Sequence, residues 1–149
     1  MEFNRNGIRF EYPDNWIIEE DTSPDGVSGI TASAPDGAFW SLSSQPADAD
    51  SAYLINATAE QLREEYPDLE VYPQSEDMFG SSLSGADFNF SYLDLTNTAE
   101  VRCLSTPTAC YVVFCQAEDR DWNRLHHVFK AMVTSFIRET IGNNPSSDE

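Results

Sequence analysis

Residues 109–136 constrain the fold of this chain more than any other part of its sequence. They begin with the longest apolar run of the chain, residues 109–115, in which both alternating sets of side chains are apolar. A strand that is apolar on both faces is normally covered on both. The run therefore predicts a buried strand at the centre of a sheet.

A helical pattern follows this run. Apolar residues recur at spacings of three and four, which places them on one face of a helix. They are Trp122, Leu125, Phe129, Met132, Val133 and Phe136. The pattern predicts an amphipathic helix whose apolar stripe packs on the sheet.

Prolines punctuate the first part of the chain. Pro13, Pro24 and Pro35 lie eleven residues apart, and the last two stand in Pro-Asp-Gly turns. This combination of strand length and turn is typical of an antiparallel meander. The predicted strands are residues 7–12, 16–20, 27–34 and 39–44.

A first helix is predicted from about residue 47 to Tyr66. Its apolar face recurs at helical spacing. This face comprises Ile55, Ala59, Leu62 and Tyr66. Asp48, Asp50 or Ser51 can cap the N-terminus, and Pro67 ends the helix.

Polar residues dominate the segment 73–84, which we predict to be a loop. Within and just after it, Gly80-Ser81-Ser82-Leu83-Ser84-Gly85 resembles the Gly-x-Ser-x-Gly turn of hydrolases. Its second glycine falls one residue late and no buried strand precedes it, so a flexible loop is the better interpretation. Half-buried strands are predicted after it, at residues 88–92 and 97–104.

The order of these elements predicts an α+β fold. A run of strands, a helix, further strands and a final helix, joined by short connections, favours an antiparallel sheet flanked by helices. The 149 residues suit one domain. We assign residues 1–138 to that domain and 139–149 to a disordered polar tail.

The charge of the chain restricts its partners. Lys and Arg number 8 and Asp and Glu number 26, a formal net charge of −18. This charge argues against nucleic acid and anionic membranes, and it favours a basic protein, a cation or simple solubility. The sequence has no nucleotide-binding motif, and the acidic pairs at 48/50 and 76/77 lack the framework of a calcium loop. No cofactor is expected.

The histidines and cysteines suit packing better than chemistry. His126 and His127 point about 100° apart on a helix and cannot both bind one metal, so a boundary residue and a solvated residue are predicted. Cys103 and Cys110 face each other if the hairpin loop is residues 105–108, which allows a disulfide. The alternative is two reduced, buried thiols. Cys115 is predicted to pack as a small hydrophobe.

The sequence favours a cytoplasmic location. The first residues lack the basic and apolar regions of an export signal, and no apolar run approaches the ~20 residues that span a bilayer. An odd number of cysteines also suits a reducing compartment.

Two segments resemble the PsbP-like superfamily, which includes PsbP, the Ran-binding Mog proteins and DcrB. One is Gly7-Ile8-Arg9-Phe10-Glu11-Tyr12-Pro13-Asp14-Asn15-Trp16, and the other is Val128-Phe129-Lys130-Ala131-Met132-Val133-Thr134-Ser135-Phe136. The resemblance implies a three-layer α/β/α sandwich with an antiparallel sheet between helices. It also implies a non-catalytic role, because these relatives mostly bind other proteins, among them a photosystem, a small GTPase and secreted effectors. No Ran-contacting or metal-binding residue is matched.

These observations lead to the hypothesis of an acidic, non-catalytic protein-binding module, an adaptor or accessory subunit. It recognises its partner through the less covered face of the sheet or through residues 73–84. Within these residues the candidate contacts are Glu76, Asp77, Met78 and Phe79. The alternatives are a small hydrolase or isomerase with a carboxylate pair in a pocket beside the final helix, and an adaptor chaperone or structural homodimer.

Overall fold

The computed structural model describes residues 1–5, 7–23 and 26–142 of the chain. These ranges contain nine strands, two α-helices and a π-helical turn. In chain order they are β1 (Glu2–Arg5), β2 (Ile8–Glu11), β3 (Ile17–Ser23), β4 (Gly26–Ser33), β5 (Phe39–Gln45), α1 (Ser51–Glu65), β6 (Glu70–Met78), β7 (Ser81–Tyr92), β8 (Leu95–Ser105), β9 (Cys110–Glu118), α2 (Asp119–Ile137) and the π-helical turn (Arg138–Gly142).

Seven strands form one antiparallel sheet in the order β3-β4-β5-β9-β8-β7-β6. Strand β9 therefore lies at its centre, as the apolar run of residues 109–115 predicts. Strands β1 and β2 form a separate two-stranded hairpin. The strand predicted at residues 7–12 corresponds to β2, whereas β1 was not predicted.

The elements form three layers. Helix α2 and the β1–β2 hairpin lie on one side of the sheet, which we call the front face, and α1 lies on the other, the back face. The predicted α+β class, with an antiparallel sheet between helices, is confirmed. No helix in the described ranges combines the length and apolar character needed to cross a membrane.

The front core is built on α2. The predicted stripe is buried at Leu125, Phe129, Met132, Val133 and Phe136. These side chains pack with Trp40 of the sheet in the larger of two apolar clusters. Phe10 of the hairpin completes this core, since its ring centroid lies 4.7 Å from that of Trp40.

The back core is smaller. Helix α1 begins at a cap in which the Ala52 N–H donates to Asp50 Oδ1 at 3.0 Å, one of the predicted caps. Its buried residue is Ala59. Larger side chains of this helix, such as Leu62, are only partly buried against the apolar side chains of β7 and β8. A helix with so small a contact face leaves part of the sheet uncovered.

The loop predicted for residues 73–84 is wrong. These residues belong to β6 and β7, which are joined by a tight turn at Phe79 and Gly80. Strand β6 is an edge strand with mostly exposed side chains, so its sequence lacks an apolar alternation. Pro73 has no N–H to donate, and it fits there because an edge strand has a neighbouring strand on one side only.

The cysteine pairing is also corrected. The β8–β9 loop is residues 106–109, and the register pairs Ser105 with Cys110 and Cys103 with Val112. Cys103 and Cys110 are therefore not opposite one another. Both, like Cys115, are free and buried.

Two predicted segments lie partly outside the described residues. In the first Pro-Asp-Gly turn, Pro24 and Asp25 are outside the described ranges. The predicted polar tail begins in the π-helical turn, whose residues 139–142 are described. Residues 143–149 are outside the described ranges, and their disorder stays a prediction.

Candidate functional site

Helix α1 covers only part of the back face. It packs on β7 and β8 and leaves a groove between itself and the neighbouring strands β5 and β9. We call this space the back groove; it encloses about 440 Å³. Its lining residues are Phe39, Ser41, Ser43, Thr58, Gln61, Leu62, Glu65, Tyr66, Val112, Phe114 and Gln116.

The back groove has an apolar floor. The ring centroids of Phe39 on β5 and Phe114 on β9 lie 5.8 Å apart, within the range of aromatic contacts. Val112 extends this floor along β9, and Leu62 and Tyr66 line it from the side of α1. All five side chains are half-buried. Their remaining apolar surface is accessible to a ligand.

Carboxylates line the back groove and two further depressions that adjoin it. One depression shares Gln116 with the groove, and the other shares Asn97 with the first depression. Together the three are lined by seven carboxylates and, within the described residues, by no Lys, Arg or His. The carboxylates are Asp36, Glu65, Asp68, Glu70, Glu118, Asp119 and Asp121.

Arginines neutralise three of these carboxylates. Arg124 Nη2 lies 2.7 Å from Asp36 Oδ2 and 3.2 Å from Asp121 Oδ1. Arg120 Nε lies 2.8 Å from Glu118 Oε1. The hydrogen bond from Arg124 holds the pKa of Asp36 below its ordinary value. The other four carboxylates have no ion-pair partner in the part of the chain that the structure describes, so the surface around the groove favours cations.

A second groove lies on the outer side of α2. It encloses about 710 Å³, and its lining includes His127, Lys130 and Arg138. Lys130 Nζ lies 2.5 Å from Glu76 Oε2, and Arg138 Nη2 lies 3.2 Å from Glu11 Oε2. This front groove is thus bordered by cations that carboxylates partly neutralise.

An ion network is buried on the front face beneath α2. Arg102 of β8 is only 9% exposed. Its Nε lies 2.5 Å from Glu76 Oε1 and its Nη2 lies 2.9 Å from Asp87 Oδ1. Its Nη1 donates to the carbonyl oxygens of Val101 and Ala86 at 2.9 and 3.2 Å. The guanidinium is paired and hydrogen-bonded, as a buried charge requires.

Gly85 of β7 makes room for this arginine. A Cβ at Gly85 would lie 2.1 Å from the carbonyl oxygen of Val101 and 2.8 Å from Cδ of Arg102. Both distances are shorter than non-bonded atoms allow, so the site requires glycine. The second glycine of the segment 80–85 therefore has a packing role.

The network perturbs two carboxylates in opposite directions. Burial raises the pKa of Glu100, which lies 3.8 Å from Arg102. Burial also acts on Glu76, but hydrogen bonds from Lys130 and Arg102 overcome it and lower the pKa of Glu76. Two carboxylates whose pKa values are pushed apart can serve as acid and base.

The cavity beside this pair has no room for an organic substrate. It encloses about 20 Å³, close to the space that one water molecule needs, whereas small-molecule sites typically measure about 300 to 1,000 Å³. For the hydrolase or isomerase alternative, the structure thus provides two carboxylates with perturbed pKa values beside α2. The cavity next to these carboxylates is too small for a substrate.

The four candidate contact residues 76–79 lie in different surroundings. Glu76 belongs to the ion network, and Met78 packs against the front core. Asp77 and Phe79 are exposed at the end of β6. The role of these four residues in partner binding stays a prediction.

The histidines occupy different surroundings. His126 is half-buried, stacks on Trp122 with ring centroids 5.1 Å apart, and places Nε2 3.6 Å from Glu100 Oε2. His127 is exposed at the front groove. Among the described residues, no group of three or more His, Cys, Asp or Glu is placed to hold a metal ion.

The cysteines are poorly suited to nucleophilic chemistry. Burial, followed by the nearby Cys110, raises the pKa of Cys103 to about 11. Burial also raises the pKa of Cys115. Because the thiolate is the reactive form, these thiols are weak nucleophiles near neutral pH.

The sequence reasoning anticipated a less covered sheet face but none of its residues. Phe39 and Phe114 have apolar neighbours, Trp40 on β5 and Val113 and Cys115 on β9, so the sequence does not distinguish them from core residues. A signal was present in β5, where Ser41 and Ser43 alternate with buried apolar side chains. Small polar residues on one side of a strand near the centre of the sheet indicate a face that no helix covers.

Comparisons with protein-family models and with curated protein sequences find no match. Solved structures do match. Cyanobacterial PsbP (CyanoP) from Synechocystis sp. PCC 6803 is 11% identical, with a TM-score of 0.60, over 91% of this chain and 89% of that one. PA94 from Pseudomonas aeruginosa, a protein of unknown function, is 14% identical, with a TM-score of 0.54, over 91% and 94%.

A third structure, from Bacteroides thetaiotaomicron VPI-5482, is 12% identical, with a TM-score of 0.59. The match covers 90% of this chain and 46% of the other. At these identities the similarity concerns the fold alone. The chain therefore shares its fold with cyanobacterial PsbP, which confirms the fold that the resemblance of its two sequence segments implies.

Proposed function

We propose that this chain is a non-catalytic protein-binding module, and that the back groove binds a linear segment of a basic partner. The segment carries a large apolar side chain flanked by Lys or Arg. The observation that supports the proposal is an apolar floor in a groove that Glu65 lines, next to two depressions that six further carboxylates line.

The apolar floor accounts for affinity. A side chain placed over the adjacent rings of Phe39 and Phe114 covers half-buried aromatic surface of both strands. Removal of apolar surface from water stabilises a complex by roughly 25 cal/mol per Å² before the costs of association. Aromatic residues are also enriched among those that dominate binding energies.

The carboxylates account for selectivity. Glu65 lines the back groove, and Asp68, Glu70 and Asp119 line an adjoining depression. None of the four is neutralised by an ion pair within the described residues, and the chain as a whole has a formal net charge of −18. Such a surface attracts cationic segments at long range and repels anionic ones.

The proposal is tested with a displayed library of random linear peptides. The full chain is immobilised, and bound peptides are sequenced after washing at low and at high ionic strength. We expect enrichment of peptides that place Lys or Arg beside a large apolar residue. Their binding should weaken with salt, because the rim charges are exposed.

A pair of matched variants assigns the binding to the groove. Ser43→Lys places a cation in the lining of the groove, and Asn123→Lys adds the same charge to an exposed position of α2. We expect peptide affinity to fall about tenfold or more in the first variant and to persist in the second. Failure to enrich any peptide, or equal binding by both variants, would refute the proposal.

A cytoplasmic location is part of the proposal. Three free, buried cysteines suit a reducing compartment. Fractionation of the cells that produce the protein, followed by immunodetection, tests this part, and recovery from an extracytoplasmic fraction would contradict it.

A further inference from the structure

The turn between β7 and β8 forms a second, unusual surface. We call residues 92–95, Tyr92-Leu93-Asp94-Leu95, the hairpin tip. Its apolar side chains are highly exposed: Leu93 by 77%, Tyr92 by 55% and Leu95 by 40%. Three of four consecutive residues at the tip thus present large apolar surface to solvent.

The backbone of the hairpin tip is strained. Leu93 and Asp94 have φ values of 52° and 65°, in the left-handed region. Two-residue hairpin turns with two positive φ angles strongly prefer Asn-Gly. In this conformation the Cβ atom of most residues lies too close to the following carbonyl oxygen. A leucine there stabilises neither the turn nor the core. Strain of this kind, held at an exposed site, points to a function.

The opposite end of β7 provides a comparison. The β6–β7 turn also has two positive φ angles, 51° at Phe79 and 81° at Gly80. Its second position is glycine, which adopts this conformation without steric cost. In the hairpin tip both positions carry a side chain, those of Leu93 and Asp94.

The hairpin tip is held in place by its surroundings. The strands remain paired up to the turn, with Tyr92 opposite Leu95. The Ser91 N–H donates to the carboxylate of Asp68, with oxygens at 3.1 and 3.3 Å. The ring of Tyr66 meets that of Tyr92 edge-on at 5.9 Å. The tip is thus presented on a supported hairpin.

The hairpin tip is continuous with the back groove. Tyr66, which contacts Tyr92, also lines the groove beside Glu65. Carboxylates lie along this connection, with Asp94 in the turn and Asp68 below it. A partner that spans both surfaces therefore meets apolar surface and negative charge along its whole path.

We infer that the hairpin tip is a docking knob that inserts Leu93 into an apolar pocket bordered by Lys or Arg on the partner protein. The inference rests on the proposed function, because the partner that fills the back groove is the one that receives the tip. Anionic lipid is the less suitable occupant, since Asp94 and Asp68 would be brought against negative headgroups.

Photo-crosslinking tests the inference in the cells that produce the protein. Leu93 is replaced by the photoreactive residue p-benzoylphenylalanine in the full chain, and Tyr53, an exposed aromatic residue of α1 outside the lining of the back groove, is replaced in a control. We expect position 93 to cross-link to one predominant protein, at residues that line an apolar pocket bordered by Lys or Arg. Position 53 should give no such product. Cross-links to lipid, equal products at both positions, or none at 93 would overturn the inference.

Paired variants then measure the contribution of the knob to binding of that protein. Leu93→Asn removes the apolar side chain and relaxes the turn, so its melting temperature should equal or exceed that of the unchanged chain. Tyr53→Asn removes an exposed aromatic side chain from α1, outside both the hairpin tip and the lining of the back groove. We expect Leu93→Asn to weaken binding about tenfold or more and Tyr53→Asn to leave it unchanged. Equal affinities for the two variants would overturn the inference.

The groove variant separates the two proposals. Loss of binding in Ser43→Lys with full binding in Leu93→Asn would remove the knob and keep the binding function of the groove. Loss in both variants supports both. Full binding in both would remove the proposed function together with the knob.

Discussion

The front face of the sheet is covered by two units, α2 and the β1–β2 hairpin, whereas α1 leaves β5 and β9 accessible on the back face. The two faces also treat charge differently. The front face encloses an arginine among paired carboxylates, whereas Glu65, Asp68, Glu70 and Asp119, in and beside the back groove, have no ion-pair partner within the described residues. The front face therefore holds the larger core, and the back face leaves part of the sheet accessible.

The largest expected effect contrasts one phenylalanine on each face. Phe129 of α2 is 2% exposed, and Phe39 of β5 is half-buried at the back groove. Phe129→Ala should lower the free energy of unfolding by about 3 to 5 kcal/mol, because it leaves a cavity in the front core. Phe39→Ala should cost about 1 kcal/mol. Urea denaturation measures both, and equal losses would contradict the comparison.

The second prediction concerns the buried ion network. Arg102→Met should destabilise the protein by about 3 to 5 kcal/mol, because Glu76 and Asp87 lose their buried partner. Arg63→Met is the control, since Arg63 pairs with Glu60 on the exposed side of α1. The control should change stability by less than about 0.5 kcal/mol. Similar midpoints in urea for the two variants would refute the structural role of Arg102.

A third prediction isolates the space that Gly85 provides. Gly85→Ala should lower stability by about 2 kcal/mol or more, because the added Cβ would meet the Val101 carbonyl at 2.1 Å. Gly29→Ala is a suitable comparison in the same sheet, where the nearest atom to a Cβ lies 3.6 Å away. Thermal unfolding should show a marked fall in melting temperature for the first variant and little change for the second. The opposite order would contradict the close approach of β7 and β8 at Gly85.

The smallest effect concerns the two glutamates of the network. The raised pKa of Glu100 means that its stabilising contribution is present in full below the ordinary value of 4.5 and is lost as pH rises through the raised pKa. Glu100→Gln should therefore stabilise the protein at pH 7, by about 0.5 kcal/mol or more. The gain should shrink as the pH approaches the ordinary glutamate range.

Glu76 provides the opposite sign. Its pKa is lowered, so its contribution is present above the ordinary value and is lost as pH falls through the lowered pKa. Glu76→Gln should destabilise the protein at neutral pH and approach the unchanged chain in acid. Urea midpoints of both variants, measured across this pH range, test the two predictions. A change of both midpoints in the same direction, relative to the unchanged chain, would contradict them.

Sequence reasoning succeeded where burial determines the pattern. Strand β9 and the apolar stripe of α2 are buried in the core, and burial determines which of their faces are apolar. Their hydrophobic periodicity therefore predicted both elements. It failed for β6, whose core-facing Glu76 pairs with Arg102, a residue distant in sequence. An alternation of polar residues that is satisfied by ion pairs resembles a loop when only hydrophobicity is considered.

The candidate site was less predictable than the fold. The back groove depends on where α1 lies across the sheet, and no local pattern specifies that position. The turn at Leu93 and Asp94 was equally hidden, because the usual signal for such a turn is Asn-Gly. Cys103 and Cys110 are not opposite one another because the β8–β9 loop begins at residue 106, one residue later than the predicted loop.

The two edge strands give the acidic composition a further meaning. Strand β3 carries Glu19, Glu20 and Asp21, and β6 carries Pro73 together with Glu70 and Asp77. Charged residues and proline are the devices by which sheet proteins prevent edge-to-edge association. A second copy approaching either edge would bring carboxylates against carboxylates. The same residues that make the chain acidic thus keep a seven-stranded sheet from growing into an aggregate.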